Sequence, residues 1–455
     1  MHIFGRITSA AAVGVPVVVA GLLWAQTAAY ANVPLTQVSS DPFTNTNSQH
    51  RTEVEPDTYQ FGSTIVAAFQ VGRIFGGASA DIGFAVSDNN GSSWTNGFLP
   101  GITVNQGGGA FTAASDPAVA FDARHNVWLI SSLAIGGPGG SQAVLTSRST
   151  DGGHTWSRPF TVTTGSLDKN WIACDNTSTS PFFGRCYTEY DVTNNGNAIR
   201  MQASADGGLT WGPARATGDN RSGLGGQPVV RPNGTVIVPI LSGSQIRSFR
   251  SVDGGASWRS TVLVATVQHH TEAGGLRSGA LPSAEIDSAG TVYLAWSDCR
   301  FRSGCPANDV VISKSTSETT WAAPTRVPVD ATTSTVDHFV PGIGVDRTTS
   351  GTTARIGLTY YFYSNTNCTA ATCQLNVGFI SSRNGGSTWS AATQVAGPMT
   401  LSWLPNTSQG RMFGDYISTS VVPGGRAFPC LPVATAPSGS TFNQNMFVPT
   451  GGLPI

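Results

Sequence analysis

A short turn ending in tryptophan occurs five times along this chain, and it limits the possible folds more than any other feature. Residues 149–156 read Ser-Thr-Asp-Gly-Gly-His-Thr-Trp, with Asp151 third and Trp156 last. The pattern returns at residues 204–211 with Asp206 and Trp211, and at 251–258 with Asp253 and Trp258. Two further copies carry asparagine in place of the acid: Asn89 with Trp94, and Asn384 with Trp389. Residues 314–321 keep only the Thr320-Trp321 ending, where another copy is due. Recurrence at intervals of about 40 to 70 residues implies stacked or radial units, each too small to bury a core alone.

The chemistry of the repeat is that of a hairpin turn. Asp or Asn accepts hydrogen bonds from amides just downstream, and Gly takes a positive φ without a Cβ clash. The indole then covers the hairpin and keeps its N–H for an acceptor. Strand-like runs flank each copy, such as Ala143-Val144-Leu145 before Asp151 and Phe160-Thr161-Val162 after it. The turn therefore reads as the link between the two outer strands of a four-stranded sheet. It resembles the Asp-box of sialidases and related bacterial-neuraminidase-repeat proteins. That resemblance implies an all-β propeller and a role in handling glycans. The turn acids and asparagines are read as structural, because the D-x-D-x-D spacing of calcium loops is absent. No metal or other cofactor is expected.

The first 31 residues look like an export signal rather than part of the fold. Arg6 precedes a 15-residue apolar stretch, Ala10 to Trp24, and Ala29-Tyr30-Ala31 is a small-x-small cleavage site. No later segment is apolar enough to span a membrane. Residues 32–455 are expected to form one secreted, monomeric domain. Only 11% of residues are charged and the net charge is -1. That balance argues against a nucleic-acid partner held by phosphate electrostatics and leaves a glycan or other extracellular polymer. Six of the seven cysteines fall into close pairs: Cys174 with Cys186, Cys299 with Cys305, and Cys368 with Cys373. Each pair is expected to staple a local loop in an oxidising compartment, with Cys430 a buried thiol.

A second hairpin alternates with the tryptophan turns and gives the number of units. It recurs near residues 55–66, 116–130, 171–189, 227–240, 282–296 and 341–361, and a seventh lies beyond the last turn. After it the chain is one outer strand short. Residues 33–38 supply a candidate, since they resemble the strand following Trp389. A ring closed in this way has no exposed edges. Seven blades are expected, with six, the sialidase number, as the alternative.

In such a ring the loops opposite the tryptophan turns gather around the channel. They carry Glu53, Glu55, Arg73, Asp168, Lys169, His269, His270, Glu272, Arg277, Asp298, Arg300, Arg302, Asp309, Asp337, His338, Arg411, Asp415 and Tyr416. The sialidase resemblance implies three arginines on a substrate carboxylate, a tyrosine nucleophile with a glutamate, and an acid/base aspartate. Arginine suits a carboxylate because its fork grips both oxygens. Arg73, Arg300 and Arg411 stand at comparable places, and Tyr416 opens the final hairpin where a nucleophile would fall; the alternatives are that Arg300 pairs with Asp298 or Asp309 and that Tyr416 is a packed core aromatic. The first arginine of the family, its glutamate and its aspartate have no counterpart, although Glu189 is available as a partner for the tyrosine. Independently of the family, Glu55, Asp116, Asp168, Asp337 and Asp415 recur near the starts of inner strands. Converging on one channel, they would shift one another's titration and serve two-carboxylate glycoside chemistry. Otherwise each simply caps its own loop. Three functions follow: a glycan-recognising module, a retaining exo-sialidase, or a scaffold that binds proteins.

Overall fold

The computed structural model describes residues 33–455. The expected export signal and its cleavage site lie outside the described residues. From Val33 onward the molecule is all-β, with antiparallel strands separated by turns and a few single-turn 3-10 segments.

Most of the strands fall into seven consecutive groups, and a two-stranded ribbon, Asn406–Thr407 with Gly410–Arg411, stands apart before the last. The first comprises Ser48–Phe61, Thr64–Ile74, Ser79–Ser87 and Thr95–Phe98; the second Ala113–Asp122, Val127–Ile135, Gln142–Ser149 and Phe160–Gly165. The third holds Leu167–Cys174, Cys186–Val192 and Ala198–Ser204, with a single outer bridge from Met201 to Arg215. The fourth is Val229–Val230, Val236–Ser242, Gln245–Ser251 and Val262–Thr266; the fifth is Ser283–Ile286, Val292–Asp298, Asp309–Ser315 and Thr325–Arg326. The sixth is Asp337–Val345, Ile356–Tyr363, Gln374–Ser382 and Thr393–Thr400. In the last, Ser418–Val422, Arg426–Ser438 and Thr441–Pro449 pair in order, and the N-terminal strand Leu35–Gln37 adds to the outer edge, with Leu35 opposite Pro449. Isolated pairs, Thr52 with Gln444 and Ser79 with Ala114, bridge neighbouring groups.

The groups pack face to face, which explains why their strands read as nearly unbroken apolar runs. Alternate side chains of a strand point to opposite faces, and here both faces are covered. Tyr293 and Ala295 meet Ile356 and Leu358 of the sixth group, whereas Leu294 and Trp296 meet Ile237 and Ile246 of the fourth. Burying one such side chain contributes about 1.5–3 kcal/mol. Similar clusters join each group to the next. One containing Phe69, Val71, Met446 and Val448 joins the seventh back to the first. The first strands contact one another in the same cyclic order, and Ser418–Val422 returns to Ser48–Phe61.

The recurrent turn adopts one geometry. Asp151 Oδ1 accepts from Ser149 Oγ at 2.7 Å and from the Thr155 amide at 3.0 Å, while Trp156 Nε1 donates to the Gly153 carbonyl at 3.0 Å. Asp206 and Asp253 accept from the Thr210 and Ser257 amides, each at 3.0 Å, and Asn89 and Asn384 do so at 2.9 and 2.8 Å. Gly153 sits at φ 97°, a backbone setting that glycine tolerates best. Trp211 and Trp258 have the same position but no acceptor for Nε1. The three expected disulfides are present, and Cys430 is free and buried. No helix of the described residues is long and apolar enough to cross a membrane.

Candidate functional site

Four of the first strands carry the same irregularity. Pairing slips between Val54 and Asp57, Ser115 and Ala118, Asp168 and Trp171, and Phe339 and Gly342. Within each slip one residue has a left-handed backbone: Glu55 at φ 54°, Asp116 at 46°, Lys169 at 51° and Val340 at 46°. Proline follows in three of them, as Pro56, Pro117 and Pro341. A β-bulge of this kind re-aims a side chain at a cost in backbone strain. In the first three it directs charged groups toward one another.

Lys169 is the centre. Its Nζ lies 2.5 Å from Asp415 Oδ2, 3.4 Å from Asp116 Oδ1 and 3.6 Å from Glu55 Oε1. Arg277 grips Asp415 from the other side, with Nε to Oδ1 at 2.8 Å and Nη2 to Oδ2 at 2.5 Å. The Asp415 amide donates to Glu55 Oε1 at 3.1 Å, and Gln70 donates to Glu55 Oε2 and to Ser115. Burial opposes every charge in this group, and the ion pairs outweigh it at Lys169 and Asp415 but not at Glu55. Lys169 is held well above the usual ammonium value because the carboxylates of Asp116, Asp415 and Glu55 outweigh its desolvation. Burial also opposes the Asp415 charge, yet Lys169 and Arg277 hold that carboxyl well below its usual range. Glu55 is pushed up to about 7, because burial exceeds the help it receives from Lys169. Glu55, Asp116 and Asp415 are thus brought together as converging acids, and Lys169, a neighbour in the sequence reading, is their hub. Gln70 carries no charge and gave no signal.

The residues suggested by the sialidase resemblance take other partners. Arg73 is 1% exposed and donates to Gln70 Oε1 at 2.8 Å and to the Ala78 carbonyl at 2.7 Å. Arg300 forks onto Asp298 at 3.0 and 2.6 Å. Arg411 donates to the carbonyls of Leu404 and Ser402 at 2.5 and 3.2 Å. Burial lowers the Arg73 guanidinium from its ordinary value, although the charges of Glu55, Asp415 and Asp116 act in the opposite sense. Tyr416 is buried against the edge of Trp171, with ring centroids 4.9 Å apart, and its hydroxyl donates to the Pro117 carbonyl at 3.1 Å. Burial raises this phenol well above its usual value, which opposes the ionisation a nucleophile requires.

Asp298, Asp337 and His338 belong to a separate network between the fifth and sixth groups. Asp298 accepts from Trp296 Nε1 at 3.0 Å, and Asp337 accepts from the Asn308 amide at 2.6 Å and faces His270 at 3.1 Å. His338 is pushed down to about 4 by burial, so its ring is neutral at pH 7. Asp309, Asp330 and His338 come close enough to share an ion. Arg302 reaches both acids at 2.7 and 3.1 Å, and Arg326 reaches Asp309 at 2.9 Å. These guanidiniums already supply the positive charge a cation would bring. Asp168 caps locally, accepting from the Lys169 amide at 3.0 Å.

Open space lies at the opposite ends of the same first strands. A cavity of about 430 Å³ is lined by Asp57, Tyr59, Trp171, Gln227, Glu285 and Arg347, among others. Arg347 reaches both oxygens of Glu285 at 3.0 and 2.9 Å and lies 4.2 Å over the Tyr59 ring. Sequence reasoning placed the function at the charged end and missed this one. Asp57, Tyr59, Trp171 and Glu285 sit in the later halves of first strands and Arg347 in the turn after one, where nothing marks convergence.

No protein-family model matches the sequence, and no curated protein does. Among solved structures, an ulvan lyase representing a new polysaccharide lyase family superimposes with a TM-score of 0.50 at 11% identity, covering 92% of this chain and 96% of that one. The NanB sialidase of Streptococcus pneumoniae gives 0.47 at 11%, covering 91% and 70%. The Hadza microbial sialidase Hz136 gives 0.45 at 13%, and the 87% of this chain that aligns spans only 65% of its length. At such identities the likeness is one of fold alone, and with the ulvan lyase it extends over nearly the full length of both chains.

Proposed function

We propose that this chain is a secreted, glycan-recognising seven-bladed β-propeller that binds its ligand at the open end of its axial channel. Seven strand groups, the cyclic contacts of their first strands and the N-terminal strand on the last group support the ring. Three disulfides support an oxidising destination, and the fold shared with a polysaccharide lyase supports a carbohydrate ligand. The observation that carries the binding site is the 430 Å³ cavity with the Glu285–Arg347 pair at Tyr59. Aromatic surface beside a few fixed polar groups is what a sugar needs from a pocket. The charged end, by contrast, is filled by its own ion pairs.

A hydrolytic reading has one observation in its favour. Asp415 is kept ionised while the adjoining Glu55 is pushed up to about 7, and carboxyls displaced in opposite directions suit acid and base roles. Glycan arrays and a panel of chromogenic glycosides separate the two. Binding that falls at least about tenfold in Arg347→Ala, a loss of about 1.4 kcal/mol, and is unchanged in Glu55→Gln fits the open end. Turnover lost in Glu55→Gln but kept in Tyr416→Phe establishes the second reading. Turnover lost in Tyr416→Phe would restore the sialidase mechanism, and silence in both assays sinks the glycan assignment.

A further inference from the structure

The cavity at the open end carries an unbalanced charge. Its lining holds three carboxyl groups, Asp57, Glu285 and Asp287, and, among the described residues, a single base, Arg347. That base is already engaged: its Nη2 lies 3.0 and 2.9 Å from the two Glu285 oxygens, and its Cζ lies 4.2 Å from the Tyr59 ring centroid. The pair sums to zero, which leaves Asp57 and Asp287 without a base in the lining. Backbone amides fix both in place, that of Val119 on Asp57 at 2.7 Å and those of Thr291 and Gly351 on Asp287 at 2.8 and 3.0 Å. An anionic ligand entering here meets excess negative charge and no free cation, and like charges brought together out of water repel strongly. Hydroxyl groups fare differently, because a carboxylate accepts from them in charge-assisted hydrogen bonds. The Tyr59 hydroxyl accepts from Asn176 Nδ2 at 3.1 Å, so its own proton is available to a ligand oxygen.

A second surface lies at the lip of the same cavity. Phe61 lines it and is 39% exposed. Its ring is backed by Phe121 at a centroid distance of 4.3 Å, and Phe121 is backed by Trp128 at 4.9 Å. A flat apolar ring held from behind loses little freedom on contact, and the C–H face of a pyranose is a surface that lies well on it. Tyr59 and Phe61 are two residues apart on one strand, so they share a face of the sheet. Their spacing along the strand is close to the step from one sugar unit to the next.

We propose that this cavity takes an uncharged polysaccharide, with one sugar unit at Tyr59 and the next on Phe61, and turns away chains bearing carboxylate or sulfate groups. The proposal rests on the reading of the open end as the glycan site and adds to it the chemical class of the glycan.

The test passes the whole protein over immobilised polysaccharides at pH 8. Galactomannan, mixed-linkage β-glucan and dextran serve as uncharged chains, and alginate, polygalacturonate and chondroitin sulfate as acidic ones. At least one uncharged chain is expected to bind about tenfold or more tighter than any acidic one. Phe61→Ala should weaken that binding about fivefold or more and leave the melting temperature unchanged, because the ring stands at the exposed lip. Asp57→Asn, whose amide oxygen can still accept from Val119, should narrow the gap between the two classes. A gap that Asp57→Asn leaves unchanged would place the discrimination outside the cavity and overturn the proposal. Tighter binding to an acidic chain, lost in Arg347→Ala, would overturn it while keeping the cavity as a glycan site. Silence on all six polymers would overturn it too, and only silence on the glycan array as well would reach the reading beneath it.

Discussion

Asp151 shows how a single side chain organises a turn. Its two oxygens accept from Ser149 Oγ, the Thr155 amide and Thr155 Oγ1, and the last two hold the carboxyl down at about 2. Asn89 and Asn384 preserve the amide bond by their oxygen, and their Nδ2 donates to Ser93 and Thr388 hydroxyls at 2.8 Å. The hydroxyl merely changes from donor to acceptor. Asp151→Asn is therefore expected to cost less than about 0.5 kcal/mol, and Asp151→Ala about 1–2 kcal/mol, as loss of a helix cap does. Urea denaturation of the two variants checks the contrast, and equal losses would contradict it. These turns were legible in the sequence because every hydrogen-bond partner lies within eight residues. The partner of Tyr416 was not, since the carbonyl to which it donates belongs to Pro117, far away in the chain.

At the level of strands, the bulges create what the sequence alone did not define. Acids at the starts of inner strands were visible, and Glu55-Pro56 and Asp116-Pro117 even share a local pattern. Their common partner was not visible as such, because Lys169 follows no proline and its target acids come from three other strand groups. The N-terminal strand was readable from its likeness to the strand after Trp389, and it occupies the edge of Thr441–Pro449 as expected. Lys169 thus links the first, second, third and last groups at one point. Removing one partner from a buried charge cluster leaves the others uncompensated, typically at about 3–5 kcal/mol. Lys169→Met is expected to lose that much stability at pH 7 by urea denaturation. Part of the loss should return near pH 5, where Asp116, no longer held down by Lys169, takes up a proton and repulsion among the acids falls. A variant equally unstable at both values would show that packing, not charge, is what Lys169 supplies.

For the molecule as a whole, burial of acids between the sheets sets how stability depends on pH. Glu53 is pushed up to about 8 and Asp57 to about 7, in each case chiefly by burial, against ordinary values of 4.5 and 3.8. Between the ordinary and raised values the native protein holds protons that the unfolded chain has released, so stability falls as pH rises through that window. Asp415 and the turn acids act in the opposite sense. Their carboxyls are held low in the native state, so they stabilise above the ordinary aspartate value and lose that contribution as pH falls below it. The two tendencies meet at mildly acidic pH. Melting temperature is expected to peak between about pH 4 and 5.5 and to decline steadily toward pH 8. Glu53 is the cleanest probe, because its Oε2 accepts from Ser39 Oγ and the Met446 amide, bonds that a glutamine oxygen can keep. Glu53→Gln should flatten the decline between pH 5 and 8 by an amount on the order of a few kcal/mol, a pKa unit being worth about 1.4 kcal/mol. It should leave stability below pH 5 nearly unchanged. If the substituted protein declines as steeply as the wild type, Glu53 already ionises in the folded state, and the energetic cost of enclosing acids between these sheets must be placed elsewhere.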